Sequence, residues 1–271
     1  MSRYGATPFA FPDFRGATRR LILVNLVAFS VLALLRMVSS DWAMGAGEIL
    51  GFIPGAFLHG SIWQPFTYSL IHFDLVGTLF ELLSLWFLAG FLESMHTESW
   101  VTGLYAISVL GTSAAATLIF LCSGPLGMRL GGGILLTGCS GGIFGMLVAI
   151  GALYGDTQFL VFFIGIKARY LAVIYALISI AMLFGQERVY AFAQLGGALA
   201  GLLWVKLAPR RGVSFRLSEG WYGVRNRYYR WKRRRAARKF EVYMRQQGRT
   251  VRFDGNGRPI HEDDDEKSRW N

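Results

Sequence analysis

The chain has 271 residues, of which 53% are hydrophobic and only 17% are charged, and the charge falls mostly near the two ends. That distribution is typical of a multi-span membrane protein and argues against a soluble domain with a large core. The net charge of +11 comes largely from the residues after Lys206. Both cysteines, Cys122 and Cys139, lie in apolar runs, so we expect no disulfide framework, no metal site and no cofactor.

The N-terminal part predicts a first membrane helix followed by a segment that does not span. Residues 1–19 form a short basic leader, and the apolar run Leu21–Leu35 follows it. A signal peptide has the same order of charge and apolarity, but a convincing small-residue cleavage site is missing, which favours a retained helix. Residues 39–66 are interrupted by Gly and Pro, so we expect an interfacial segment anchored by Trp42 and Trp63.

Five further apolar stretches bring the number of predicted spans to six, in an all-α integral membrane bundle. Their approximate bounds are 66–92, 100–122, 134–154, 170–184 and 189–207. A short apolar piece, 159–166, is expected to be re-entrant or interfacial. The predicted domains are therefore the leader (1–19), a six-span membrane domain (20–207) and a tail (208–271).

The basic residues predict the orientation of the chain. Six spans put both termini on one side, and the positive-inside rule assigns that side to the cytoplasm. The tail is basic with interleaved aromatic residues from Trp221 to Gln247, and we expect it to be helical. Because it directly follows a span, binding to anionic lipid is favoured over binding to nucleic acid. The acidic end, from His261 onward, is expected to be disordered.

A serine set among glycines lies near the start of the fourth predicted span, in the sequence Gly138-Cys139-Ser140-Gly141. A hydroxyl at membrane depth is a candidate functional group. The glycines can leave backbone N–H groups uncovered for a substrate oxygen. Alternatively, they serve only to let another helix come close.

Several motifs, in order along residues 20–207, resemble the rhomboid family of intramembrane serine proteases. They are Trp63-Gln64-Pro65-Phe66-Thr67 with Leu70-Ile71-His72, the stretch Leu82 to Glu93, Gly138-Cys139-Ser140-Gly141, and Ala193-Gln194-Leu195-Gly196-Gly197 with Gly201. The resemblance implies a six-helix rhomboid-like bundle with Ser140 at the nucleophile position. It also implies oxyanion or substrate contacts at Gly138, Cys139 and Gly141, and helix packing at Gly145, Gly197 and Gly201.

The chain departs from the family pattern at the positions that do the chemistry. Gln194 stands at the position of the catalytic histidine, and Gly77 and Glu81 stand at those of the oxyanion histidine and asparagine. His72 matches a family histidine outside the chemistry, and we expect it to lie a long helical stretch away from Glu81. A serine hydroxyl needs a base to remove its proton, and Gln194 cannot accept one. An ionised Glu81 would also repel an oxyanion.

Two functions of different classes follow from this pattern. The favoured one is a catalytically impaired homologue that recognises the single transmembrane helices of client proteins. The other is an active serine endopeptidase in which Glu81 replaces the histidine as the base for Ser140. Alternatively, Glu81 is not the base and has a structural role, in which it forms a hydrogen bond with Gln194 that closes the site. Either way, we expect Ser140, Gln194 and Glu81 to share one polar pocket. A transporter is disfavoured because no inverted repeat is visible.

Overall fold

The computed structural model describes residues 12–123, 134–161, 164–185, 188–207 and 213–248. The chain divides into two compact units, Met1–Val213 and Ser214–Asn271. The start of the basic leader and the acidic end after His261 lie outside the described residues.

The first unit is a helical bundle with one small hairpin. Its helices are α1 (Gly16–Val38), α2 (Ser40–Leu50), α3 (Pro54–Leu58), α4 (Gln64–Thr67), α5 (Leu75–Met95), α6 (Glu98–Ser123), α7 (Ser140–Leu153), α8 (Ala168–Met182) and α9 (Arg188–Leu207). A 3-10 turn, Tyr68–Leu70, follows α4, and strands β1 (Gln158–Val161) and β2 (Ile164–Lys167) pair antiparallel before α8. The helix α10 (Val213–Gln246) makes up most of the described part of the second unit.

The apolar helices make the first unit a multi-pass membrane protein. Among the described residues, α1, α5, α6 and α9 are long and apolar enough to cross a bilayer, and α7 and α8 are shorter apolar helices. Large apolar side chains cover the outside of the bundle, such as Val27 and Leu34 on α1 and Leu79 on α5. A soluble protein rarely exposes so much contiguous apolar surface, so these side chains face lipid.

Helices α6, α7 and α9 pack closely because glycines lie where they cross. A Cβ atom on Gly201 of α9 would lie 2.7 Å from the carbonyl oxygen of Gly145 on α7. A Cβ atom on Gly197 would lie 2.8 Å from the carbonyl oxygen of Gly141. Side chains at these positions would collide with the backbone of α7, so small residues permit the close approach typical of membrane helices.

The start of α1 is held by a carboxylate from the end of α5. Glu93 accepts hydrogen bonds from the backbone N–H groups of Ala17 (2.9 Å) and Thr18 (3.0 Å) and from the Thr18 hydroxyl (2.6 Å). These N–H groups have no partner within the helix, because they belong to its first turn. The contact holds the start of α1 against the end of α5.

The predicted starts of the second and fourth spans were too early. The second, α5, begins at Leu75 because Asp74 caps it, with the Asp74 carboxylate accepting the Gly77 N–H at 2.5 Å. The preceding apolar residues form α4 and the 3-10 turn instead. The fourth, α7, begins at Ser140, since Leu136 pairs with Phe52 in a β-bridge. A pattern of apolarity alone cannot separate such short buried elements from a continuous helix.

The short segments also take forms that the sequence analysis did not predict. The described residues of the apolar piece 159–166, which are 159–161 and 164–166, belong to the paired strands β1 and β2. The segment 39–66 contains α2, α3 and the first part of α4. The tail helix α10 begins at Val213, eight residues before the predicted Trp221.

Candidate functional site

The backbone before α7 presents Ser140 at the start of a helix. Gly138 has a φ of +89°, in the left-handed region that favours glycine. Its N–H donates to the carbonyl of Tyr68 at 3.1 Å. A Cβ atom at Gly138 would lie 3.0 Å from the carboxylate oxygens of Glu81. The glycine therefore turns the chain into α7 and lets a carboxylate come close to it.

A cavity of about 590 Å³ lies between α5, α7, α8 and α9. Ser140, Glu81 and Gln194 all line it, so the fold brings together the three residues that we expected to share a pocket. The walls are largely apolar, however, in contrast to the polar pocket expected. The apolar and aromatic side chains of the lining are Phe80, Leu83, Phe87, Leu88, Ile143, Phe144, Leu147, Phe159, Leu171 and Tyr175.

The Ser140 hydroxyl is hydrogen-bonded to a residue that the sequence analysis missed. Its Oγ lies 2.5 Å from the hydroxyl oxygen of Tyr190, in the first turn of α9. Gln194 follows one turn later and accepts a hydrogen bond from the Ser179 hydroxyl of α8 at 3.3 Å. Residues four apart lie on the same face of a helix. That spacing from Gln194 was the signal that could have identified Tyr190.

The Glu81 carboxylate is held by the backbone that precedes Ser140. Its Oε2 accepts the Cys139 N–H at 2.9 Å and the Cys139 thiol at 3.3 Å. The same oxygen lies 3.1 Å from Nε2 of His72. The contacts of Glu81 are therefore with Cys139 and His72. The sequence had suggested a hydrogen bond between Glu81 and Gln194 instead.

The prediction that His72 lies far from Glu81 was wrong. It treated 66–92 as one continuous helix. The chain is instead extended at Ile71 and at Asp74, and the break before Leu75 places the buried His72 ring beside the second turn of α5. A titratable histidine is thus part of the site, although it contacts Glu81 and not Ser140.

None of the five predicted contact residues is among those that line the cavity, namely His72, Gly77, Gly138, Cys139 and Gly141. Gly77 is exposed in the first turn of α5, and its N–H is used by Asp74. Gly141 is buried against Thr112 of α6. Cys139 is fully buried but contacts the site through its N–H and thiol. The position predicted for an oxyanion histidine therefore supplies no side-chain donor.

A pair of basic side chains contacts Asp156, which follows the end of α7 away from Ser140. Lys167 lies 3.2 Å from Asp156, and Arg169 also contacts this carboxylate. The Lys167 hydrogen bond, with the Arg169 charge, holds the pKa of Asp156 below its usual value.

At the end of α5, the ring of His96 stacks on Trp100, with 3.8 Å between the two ring centroids. Partial burial lowers the pKa of His96.

This arrangement limits the chemistry that Ser140 can perform. Acyl transfer needs backbone N–H donors aimed at the oxygen that becomes negative in the transition state. The Cys139 N–H, next to Ser140, already donates to the Glu81 carboxylate. The partner of Ser140 is a tyrosine hydroxyl, which is a poor proton acceptor at neutral pH.

Comparison with known families gives a match that covers the site. A family model described as Rhomboid domain matches residues 59–211, which is more than half of the chain. The match includes Glu81, Ser140 and Gln194. Among curated proteins, none matches the chain.

Proposed function

This chain belongs to the rhomboid family, and we propose that it is a non-catalytic member that recognises the transmembrane helices of client proteins. The observation that carries the proposal is the hydrogen bond from the Cys139 N–H to the Glu81 carboxylate, 2.9 Å long. In a serine protease, that region of the backbone would have to bind a developing oxyanion. Here an internal carboxylate takes the place of the substrate oxygen.

Two losses lower the rate that Ser140 could reach as a nucleophile. Loss of one oxyanion donor costs about 10²–10³-fold in kcat, and a negative carboxylate beside the same position adds repulsion. Loss of a general base costs about 10²–10⁴-fold more, and neither Gln194 nor Tyr190 is a base suited to neutral pH. Together these losses remove most of the rate advantage of such a site.

The cavity has features that suit a helix partner. On α5 its lining includes Phe80 and Leu83, which are 62% and 45% exposed, and on α8 it includes Tyr175, which is 50% exposed. In a bilayer, helices associate through side-chain packing and a few polar contacts. A client helix packed between α5 and α8 could therefore place a side chain in the cavity, where Ser140 and Gln194 offer hydrogen bonds.

We also propose how the chain is oriented in the membrane and what its tail binds. We place both termini in the cytoplasm, because Arg15, Arg19 and Arg20 lie at the start of α1 and basic residues follow α9. The helix α10 exposes Arg230, Lys232, Arg235 and Arg238 together with Trp231. Such a helix binds anionic lipid with about 1 kcal/mol per basic residue near the surface. Nucleic acid is not expected as a partner.

An endopeptidase is the second candidate, and one observation favours it. The Ser140 hydroxyl lines the same cavity as Glu81, so a carboxylate that left Cys139 could accept the serine proton. That candidate needs both a released Glu81 and another source of oxyanion stabilisation.

Cross-linking tests the proposed binding. The protein is reconstituted in liposomes with a photo-reactive residue at Leu83, or at Val27 on the outer face of α1 as the matched control. The partners are two purified single-span helices, one with a mid-span asparagine and one with leucine there. We expect cross-links from position 83 to the asparagine helix in excess of the leucine helix, and little from position 27. Equal cross-linking from both positions would contradict the proposal.

A further inference from the structure

The side chains of His72, Glu81 and Cys139 converge at the start of α7, and we propose that they form a binding site for a thiophilic divalent metal ion such as Zn²⁺. One ligand atom from each residue lies within 4.8 Å of the other two. The spacing of these residues in the sequence does not predict a metal site, because Cys139 is far from His72 and Glu81 in the chain. Only the break before α5 and the turn at Gly138 bring them together.

The distances fit a tetrahedral ion. Nε2 of His72 lies 3.1 Å from the Glu81 carboxylate, and Sγ of Cys139 lies 3.3 Å from the same oxygen. In a zinc site with bonds of about 2.0–2.3 Å, neighbouring ligand atoms are about 3.3–3.7 Å apart. Two of the three edges are thus close to the required length, and a small side-chain movement closes the third.

The hydrogen bonding of His72 requires either a proton or a metal ion between its Nε2 and the Glu81 carboxylate. Its Nδ1 lies 3.1 Å from the carbonyl oxygen of Leu70, which can only accept, so Nδ1 carries the proton. In a neutral imidazole, Nε2 then directs a lone pair at the Glu81 carboxylate. Two acceptors at 3.1 Å repel each other unless a proton or a metal ion lies between them. A backbone carbonyl on the far nitrogen is also a common outer partner of metal-bound histidine.

Charge balance favours the ion in this buried setting. When Zn²⁺ binds, a Zn–S bond forms to Cys139, and the thiol proton is released to water. A dication, a thiolate, a carboxylate and a neutral imidazole then sum to zero net charge. A neutral centre avoids the high cost of an uncompensated charge at membrane depth.

The cavity supplies access and a fourth position. His72 and Cys139 are buried, whereas the Glu81 side chain is 25% exposed and lines the cavity. An ion can therefore enter from the cavity, and a water molecule can complete its coordination from that side. The site goes beyond the proposed recognition of helices and does not depend on it.

Cobalt titration tests the site with the full chain. The purified protein in detergent is treated with a chelator and titrated with Co²⁺, whose thiolate complexes absorb in the near ultraviolet. We expect about one equivalent to bind with a charge-transfer band that Zn²⁺ abolishes by displacement. Cys139→Ser should lose the band, while Cys122→Ser, which changes the exposed thiol on α6, should keep it. His72→Gln and Glu81→Gln should weaken binding at least about 10–100-fold, since outer-shell changes alone have effects of that size.

A thermal melt provides a second measurement that does not depend on the variants. Zn²⁺ at saturation should raise the melting temperature of the native protein, because a ligand that binds only the folded state stabilises it. Absence of a saturable cobalt band in the native protein, or a band unchanged in Cys139→Ser, would overturn the proposal. So would a melting temperature that zinc leaves unchanged. In that case a proton, and not a metal ion, bridges His72 and Glu81.

Discussion

The hydroxyl groups of Ser140 and Tyr190 lie 2.5 Å apart and join the first residue of α7 to the first turn of α9. In the family, a serine on the fourth span pairs with a histidine on the sixth. Here the serine pairs with Tyr190, one turn before Gln194, the residue that the sequence resemblance predicts at the histidine position. The link between the two helices is retained, but the group that could remove the serine proton is missing from the pair.

This link predicts a measurable coupling. Tyr190→Phe and Ser140→Ala should each lower the free energy of unfolding by about 0.5–1.5 kcal/mol, the usual net value of a hydrogen bond. The double variant should lose about as much free energy of unfolding as either single variant, because each of the two substitutions removes the same hydrogen bond. Denaturant unfolding in detergent measures the three values. Strictly additive losses would mean that the two hydroxyls do not stabilise each other.

The carboxylate at the start of α1 predicts an asymmetry between two glutamates. Glu93→Gln should destabilise the protein by about 1.5–3 kcal/mol, because a charged acceptor of three hydrogen bonds is lost. Glu98→Gln is the matched control, since it removes an exposed ion pair with Arg20 that is worth at most about 1 kcal/mol. Equal effects of the two variants would show that Glu93 does not hold α1.

The helix crossing at Gly201 predicts a steric effect. Gly201→Val should destabilise the protein by about 1–3 kcal/mol or more, because any Cβ atom meets the backbone of Gly145. Gly45→Ala in α2 has open space around its Cβ position and should be neutral or stabilising by up to about 1 kcal/mol. Melting temperatures of both variants give the comparison. A fully stable Gly201→Val would contradict the packing of α7 against α9.

The partly buried His96 predicts a pH dependence. Burial lowers its pKa in the folded state below the ordinary value of 6.5, so the unfolded chain takes up a proton more readily. The contribution of His96 to the free energy of unfolding is therefore fully present above the unfolded-state pKa. It is lost as the pH falls from that pKa toward the lower pKa of the folded state. In His96→Gln this part of the decline should be absent. Identical pH profiles of the two melting temperatures between about pH 7 and 5 would rule out the linkage.

The sequence predicted the membrane bundle and the residues around Ser140 because both depend on local patterns. Apolar runs identify spans, and the Gly138-Cys139-Ser140-Gly141 motif places Ser140 near the start of the fourth span, although α7 begins at Ser140 and not at the predicted residue 134. The contacts of the site depend on tertiary structure instead. His72 reaches Glu81 only because α5 begins at Leu75, and hydropathy does not register that break.

Tyr190 escaped prediction for a different reason. It lies one turn from Gln194 on α9, but a tyrosine in an apolar helix is more often a packing residue than a partner of a serine. The β1–β2 hairpin was missed because a short apolar run of Phe, Leu, Val and Ile fits a strand and an interfacial segment equally well.

Labelling with a fluorophosphonate probe tests the central claim most directly, namely that Ser140 is not an activated nucleophile. We predict that the purified native protein, folded in detergent, is labelled no more than Ser140→Ala. The double variant Glu81→Asn with Gln194→His, which frees the Cys139 N–H and supplies a base, should gain labelling that a further Ser140→Ala removes. Strong labelling of the native protein that disappears in Ser140→Ala would contradict the account and establish an active serine.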